Sequence, residues 1–401
     1  MARCLSFTGS ADWLYRNFFS YSGLRSVTTD LEDGTIMHCW APKTVKPTKP
    51  NLLLVHGFGA NAMWQYGDLL RHFMPRFNIY VPDLLFFGDS TTKRLERTEM
   101  FQAQCVMRLM ERYGVQKLSL VGISYGGFVG YSMAAQFPQA VEKVVLCCTG
   151  VCLEEKDMRD GLFQVADLDE AASILMPQTP DKLRELMKFA FVKPVKVVPS
   201  CFLSDYIDVF CTDHIKQKKE LIQAILKDRQ ISNIPKIIQS TLIIWGEQDR
   251  IFPVELGHRL QMHIGEKAKL VVIKNAGHAV NIEKPKEFSK QLKSFLESSS
   301  ISQSSQPQHP KYRFLSERAK QVGKLAAEVL WLAPKMAACG ASEEAVCKWA
   351  SASNLARLSV SAEPQLQGSL VKVSAFLIKQ SKDVNKVIDD RNISEQRRQT
   401  K

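Results

Sequence analysis

Short apolar runs alternate with stretches of helical period through the first 150 residues of the chain. Residues 26–42 read as a hairpin, because SVTTDL and TIMHCWA flank Glu32-Asp33-Gly34 and Asp-Gly favours a tight turn. LLLVH at 52–56 is a brief apolar run bounded by Pro50 and Gly57, which suits a strand buried on both faces. WQYGDLLRHFM then has helical period, FNIYVP is a strand ending at Asp83, and EMFQAQCVMRLMERYG is a helix closed by Gly114. KLSLVGI is a strand that runs into Ser124, FVGYSMAAQF is a helix, and KVVLCC is the next strand. Strand–helix alternation of this kind predicts a mostly parallel sheet flanked by helices.

The rhythm breaks near residue 152. Residues 152–234 are helical in pattern and lack strand-like runs, and the alternation then resumes with STLIIWG (240–246), a helix around ELGHRLQMHI, KLVVIKN (269–275) and a last helix, KPKEFSKQLKSFLE. The fold class is therefore α/β, with a helical lid inserted before the strand that leads to Asp249. Five segments are expected before the tail: an N-terminal segment 1–25, a core in two parts, 26–151 and 235–297, the lid 152–234, and a polar linker, 298–310 (SSSISQSSQPQHP). A basic extension, 311–401, follows and shows no recognisable chemistry.

Composition narrows this picture. Of 401 residues 45% are apolar and 23% charged, so a large core is available. No run reaches the roughly 18 apolar residues of a membrane span, and MARCLSFTGSADWLYRNFF lacks the continuous apolar stretch of a secretory signal. Its aromatics, Trp13, Tyr15, Phe18, Phe19 and Tyr21, suit a segment packed on its own domain better than one lying on lipid. The ten cysteines are scattered without zinc spacing, which predicts a reduced intracellular, cytoplasmic protein with no disulfide framework. Roughly half of the +12 net charge falls after residue 300, so the basic balance is partly a property of the tail. Peripheral membrane contact stays open, and no nucleic-acid partner is expected.

The chemistry concentrates at Gly122-Ile123-Ser124-Tyr125-Gly126. A β-rich run leads into this GxSxG and an apolar helix leads out, the context of a sharp turn that pushes a nucleophilic serine out of the sheet. Serine needs an adjacent base. His278, in Asn275-Ala276-Gly277-His278 after a strand, lies where open α/β sheets place their sites. Asp249, after the strand LIIW, is the acid expected to orient His278, with Glu247 its near rival and Glu154 and Glu155 weaker ones. The backbone N–H groups of Tyr125 and Phe58, the latter in His56-Gly57-Phe58-Gly59, are the candidate oxyanion donors. No phosphate-cradling glycine pattern is present, and neither a metal nor an organic cofactor is called for.

His56–Gly59, Asp83-Leu84 with Phe87-Gly88 and Ser90, Gly122–Gly126, Gly246 with Asp249, and Gly277-His278 together resemble the α/β-hydrolase superfamily over roughly residues 30–297. HGFG and GISYGG are similar to plant members related to monoacylglycerol lipases and carboxylesterases. The resemblance implies a serine hydrolase for carboxylic esters with an apolar acyl group, acting through an acyl-enzyme on Ser124 with a small ester or lipid as substrate. A carbon–carbon bond hydrolase with the same triad and a small-molecule receptor on this fold are the alternatives. Members that are acyltransferases carry His-x4-Asp. Here the fifth residue after His278 is Glu283, so the resemblance does not extend to that activity.

Overall fold

The structure is a computed structural model that describes residues 6–165, 167–195 and 198–298. Every run read as a strand forms one. The antiparallel hairpin is β1 (Leu24–Asp30) with β2 (Thr35–Pro42), closed by the Leu31 N–H donating to the Thr35 oxygen across a three-residue loop, Glu32-Asp33-Gly34, in which Gly34 takes φ 79°. The parallel strands are β3 (Asn51–Val55), β4 (Asn78–Pro82), β6 (Leu118–Ile123), β7 (Val141–Cys147), β8 (Ser240–Gly246) and β9 (Ala268–Ile273). With β5 (Thr91–Thr92), a two-residue strand on β2 that hydrophobic pattern alone does not reveal, they make a nine-stranded sheet of order β1-β2-β4-β3-β6-β7-β8-β9. The central strands β4 and β6 are buried along their whole length, which is why they read as unbroken apolar runs.

Register positions the site. Val55 pairs with Gly122, Ile123 with Cys147, Cys147 with Ile244, and Gly246 with Ile273. The carboxyl ends of β3, β6, β7, β8 and β9 therefore share one edge. The segments that leave that edge carry Phe58, Ser124, Cys148, Asp249 and His278.

Between the strands run α1 (Phe7–Tyr21), α2 (Ala62–Phe73), α3 (Glu99–Arg112), α4 (Tyr125–Gln136), α10 (Val254–Ile264), α11 (Val280–Glu283) and α12 (Pro285–Glu297). The Asn61 and Thr98 side chains accept the Trp64 and Phe101 N–H groups and so cap α2 and α3. Helix α4 packs on β6 and β7, and α10 packs on β8 and β9. From β7 to β8 the described residues form α5 (Glu155–Arg159), α6 (Leu168–Leu175), α7 (Pro180–Ala190), α8 (Ser200–Phe210), α9 (Ile215–Leu226) and a 3₁₀ turn (Ile231–Asn233), with no strand. This is the helical insertion that the pattern break at 152 announces.

Among the described residues, 12–194 and 207–298 form one compact unit, while 6–11, 195 and 198–206 belong to a second. In the first, Phe19 is fully buried against Trp40 and Tyr15 lies beside Trp64, whereas Trp13 and Tyr21 stay exposed. In the second, the Thr8 N–H donates to Asp205 at 2.7 Å. Cys201 is disulfide-bonded, so the cysteines are not all reduced as the scattered spacing predicts. Scattered spacing does not announce a bridge, because pairing depends on where the fold brings two thiols together. Cys39, Cys105, Cys147, Cys148, Cys152 and Cys211 are free and buried. No helix among the described residues is long and apolar enough to cross a membrane. The linker from residue 299 onward and the basic extension 311–401 lie outside the described residues.

Candidate active site

Ser124 stands between β6 and α4 at φ 54° and ψ −121°, a left-handed conformation that a residue with a side chain adopts only when its surroundings impose it. The glycines on either side make that turn sterically accessible. A Cβ on Gly126 would lie 2.2 Å from the Val55 carbonyl oxygen, and one on Gly122 would lie 2.3 Å from the Gly126 oxygen. Any larger residue at either position would force β6, α4 and β3 apart.

The His278 Nε2 lies 2.9 Å from Ser124 Oγ, and its Nδ1 lies 2.8 Å from Asp249 Oδ2. An N–H at Nδ1 donating to the carboxylate leaves Nε2 free to accept the serine proton. The other oxygen of Asp249 accepts the N–H groups of Ile251 and Phe252, both at 2.9 Å. The carboxylate is thus locked in place with no solvent exposure, whereas the His278 side chain keeps 11%. The rival acids are engaged elsewhere. Glu247 accepts the Asn275 N–H, and Glu154 accepts the Ile231 N–H while pairing with Lys156. Glu155 opens α5. Only Asp249 reaches the imidazole.

The loop after β3 runs against Ser124. A Cβ on Gly57 would lie 2.8 Å from the Ser124 Cβ, which brings the next amide, that of Phe58, close to the serine. Among the described residues no acceptor takes the N–H of Phe58 or of Tyr125. His56 holds this loop. Its Nδ1 lies 2.8 Å from the Gly57 oxygen and its Nε2 accepts the Leu84 N–H at 2.9 Å. Burial pushes the His56 imidazole below its ordinary pKa, so it serves as a neutral strut. Gln65 adds a bond from the Gly57 N–H, at 2.6 Å. The Phe58 ring packs edge-on against Phe87 and Tyr125, at 5.0 and 5.1 Å.

An apolar cavity adjoins Phe252, and neither Ser124 nor His278 lines it. Phe252, whose ring lies 5.7 Å from that of His278, lines it together with Leu153, Phe163, Ile174, Phe189 and Ile222. Its volume is about 80 Å³ and it is open to solvent. Of the apolar residues read as lid, Phe163, Ile174, Leu175 and Phe189 face this cavity, while Leu162 packs on the core.

Cys148 completes a group of potential metal ligands, since its Sγ, a carboxylate oxygen of Asp249 and a ring nitrogen of His278 lie within 4.8 Å of one another. Burial, then neighbouring Cys147 and Asp249, pushes the Cys148 thiol well up, and a protonated thiol is a poor ligand.

Sequence reasoning missed Gln65 and the use made of Glu283. Both act through backbone amides, and such bonds leave no motif. Glu283 accepts the Gly277 N–H at 2.6 Å, immediately before His278.

Comparison with known proteins agrees with this architecture. Residues 50–197 match the family described as alpha/beta hydrolase fold. The chain is similar to mouse monoacylglycerol lipase ABHD6, 28% identical over 263 residues that cover 62% of this chain and 76% of the mouse protein. In structure it is similar to a putative lipase from Acinetobacter baumannii, with TM-score 0.62, 21% identity and coverage of 73% and 97%. It is also similar to 2-hydroxy-6-oxo-6-phenylhexa-2,4-dienoate hydrolase from Rhodococcus, with TM-score 0.56, 19% identity and coverage of 68% and 99%. With its sheet order, its strained serine turn and the match over residues 50–197, the chain has the α/β-hydrolase fold.

Proposed function

We propose that this protein is a serine hydrolase that cleaves carboxylic esters with an apolar acyl group, of the monoacylglycerol or simple carboxylester type. One observation carries the reading: Ser124 Oγ, on a strained turn, lies 2.9 Å from an imidazole whose other nitrogen is bound to a fully buried carboxylate. Similarity to a monoacylglycerol lipase supports the ester class. The cavity lined by Phe163, Phe189 and Phe252 supports an apolar acyl chain.

Ser124 Oγ attacks the ester carbonyl carbon while His278 Nε2 takes the hydroxyl proton. The N–H groups of Phe58 and Tyr125 stabilise the tetrahedral oxyanion. Collapse breaks the C–O bond to the alcohol, which leaves with the proton from His278. Water then attacks the acyl-enzyme, His278 again takes a proton, and the free acid departs as Ser124 is restored. Asp249 holds the imidazole and offsets its positive charge. The insertion, residues 152–234, serves as the lid, and truncation at about residue 300 leaves hydrolysis intact.

The test is pre-steady-state release of p-nitrophenol from the acetate, butyrate and octanoate esters. The wild type gives a burst stoichiometric with protein and greater kcat/KM on the longer chains, and Ser124→Ala gives no burst. Equal rates from both proteins would sink the assignment of Ser124. Turnover confined to a vinylogous 1,5-diketone would favour the carbon–carbon hydrolase. Saturable binding without turnover would favour the receptor.

A further inference from the structure

The base sits on a loop, and a loop holds a side chain to catalytic tolerance only when its backbone is tied on both sides. After His278 the tie is the Ala279 N–H, which donates to the Ala190 oxygen at 3.0 Å. Before it, the Gly277 N–H donates to Glu283 Oε2 at 2.6 Å. The second oxygen of the same carboxylate, Oε1, accepts the N–H of Val192 at 2.9 Å. Ala190 ends α7 and Val192 lies two residues beyond it, inside the helical insertion. The approach is close: a Cβ on Gly277 would lie 2.7 Å from the Ala190 oxygen. Phe189, one residue earlier, lines the apolar cavity.

Glu283 is itself held rigidly. It ends the single turn α11, where its own N–H donates to the Ala279 oxygen at 3.0 Å, and Lys284-Pro285 follows at once. A carboxylate offers two acceptors in a fixed plane, so one side chain can satisfy two amides from different segments. Neither an amide nor a hydroxyl side chain can accept from both in the same way with equal strength.

We propose that Glu283 is a positioning residue for the base: its carboxylate clamps the His278 loop to the exit of α7 and so fixes the imidazole within reach of Ser124. This deepens the serine-hydrolase reading and rests on it. The clamp joins the wall of the acyl cavity to the catalytic base through three consecutive residues of the insertion, 190–192. Loss of the clamp acts on the chemical step, because misplacing a base by about 1 Å costs on the order of 10²-fold in rate. It leaves the cavity, and so the binding of the acyl chain, largely unchanged.

The experiment compares full-length wild type with Glu283→Gln and Glu283→Ala. Three quantities are read: kcat and KM on p-nitrophenyl butyrate over pH 5–9, the rate at which a fluorophosphonate labels Ser124 by intact mass, and the melting temperature. Expected are a fall in kcat and in labelling rate of about 10-fold for Gln, which keeps one acceptor, and about 100-fold for Ala, with KM within about threefold. The acid limb of the pH profile moves as well, because the imidazole no longer sits in its fixed bond to Asp249. Unchanged kcat, labelling and pH profile in folded variants, even with a lower melting temperature, would overturn the clamp and leave the serine-hydrolase reading standing. A wild type that the fluorophosphonate does not label at Ser124 would overturn both.

Discussion

Among the described residues the same trio of groups occurs twice. Ser124, His278 and Asp249 are joined at 2.9 and 2.8 Å, and Ser26, His38 and Asp83 at 2.8 and 2.8 Å, each through the two nitrogens of one imidazole. Distances alone do not tell them apart; the backbone does. Ser26 lies within β1, paired with Trp40 in regular register, while Ser124 sits at positive φ between a strand and a helix. His38 is almost wholly buried in β2, with its N–H donating to Ser90 Oγ and its carbonyl accepting the Asp83 N–H. Asp83 also takes the Ala62 N–H at the head of α2. The second trio therefore sews β1, β2, β4 and α2 together. What the first has, and the second lacks, is a serine forced out of regular structure and an imidazole carried on a loop. A hydrogen-bonded relay is a common structural device; an active site is a relay set at a strained turn beside an oxyanion-binding loop.

The aspartates separate the two roles most sharply. Asp249→Asn lowers kcat by about 10³–10⁴-fold through loss of the correct tautomer, with the melting temperature little changed. Asp83→Asn does the reverse, costing about 3 kcal/mol in denaturant unfolding because a buried, doubly bonded carboxylate is lost, with kcat per folded molecule within about threefold. A large kcat loss in Asp83→Asn at full stability would erase the distinction.

A smaller effect sharpens the comparison at the serines. Ser26→Ala leaves fluorophosphonate labelling and ester turnover within about twofold of wild type, since the exposed hydroxyl only caps a buried imidazole. Peptide mapping that finds the fluorophosphonate on Ser26 would make the second trio a reactive site in its own right.

The smallest effect is on pH. Burial depresses the His56 imidazole, so the folded chain binds its proton less readily than the unfolded chain does. That contribution is fully present above the unfolded pKa of about 6.5 and is lost as the pH falls from there toward the depressed folded value, at up to about 1.4 kcal/mol per pH unit. Burial alone would raise the Asp83 carboxyl, but the bond to His38 and its charge more than reverse this and hold it below the ordinary value. Its contribution is present above about pH 4 and is lost only below that. Denaturant unfolding between pH 7 and 5 should show a slope in wild type that His56→Gln reduces, the remainder coming from His72 and His263, whose imidazoles burial also depresses. An identical slope in both would show that His56 is not the group responsible.

The sequence was most legible where chemistry and local backbone coincide. GxSxG predicts a turn because its glycines are needed at 2.2–2.3 Å approaches that no side chain could survive. Fully buried strands write themselves as apolar runs, and the insertion shows as a break in rhythm. β5 and α11 were not legible, being two and four residues long and held by their neighbours more than by their own pattern. Nor was the Cys201 bridge, which spacing could not announce.

What the sequence by itself determined is the sheet, the turn and the order of serine, acid and histidine. These follow from hydrophobic period and local sterics, which act over a few residues. Only the tertiary structure decided which of Asp249, Glu247, Glu154 and Glu155 meets the imidazole, which of the two serine–histidine–aspartate trios stands at a strained turn, and that Glu283 ties the His278 loop to the insertion. Each of those is a hydrogen bond between residues brought together by strand register and loop path. Its energy depends on tenths of an ångström and on burial, neither of which is encoded by any single segment of chain.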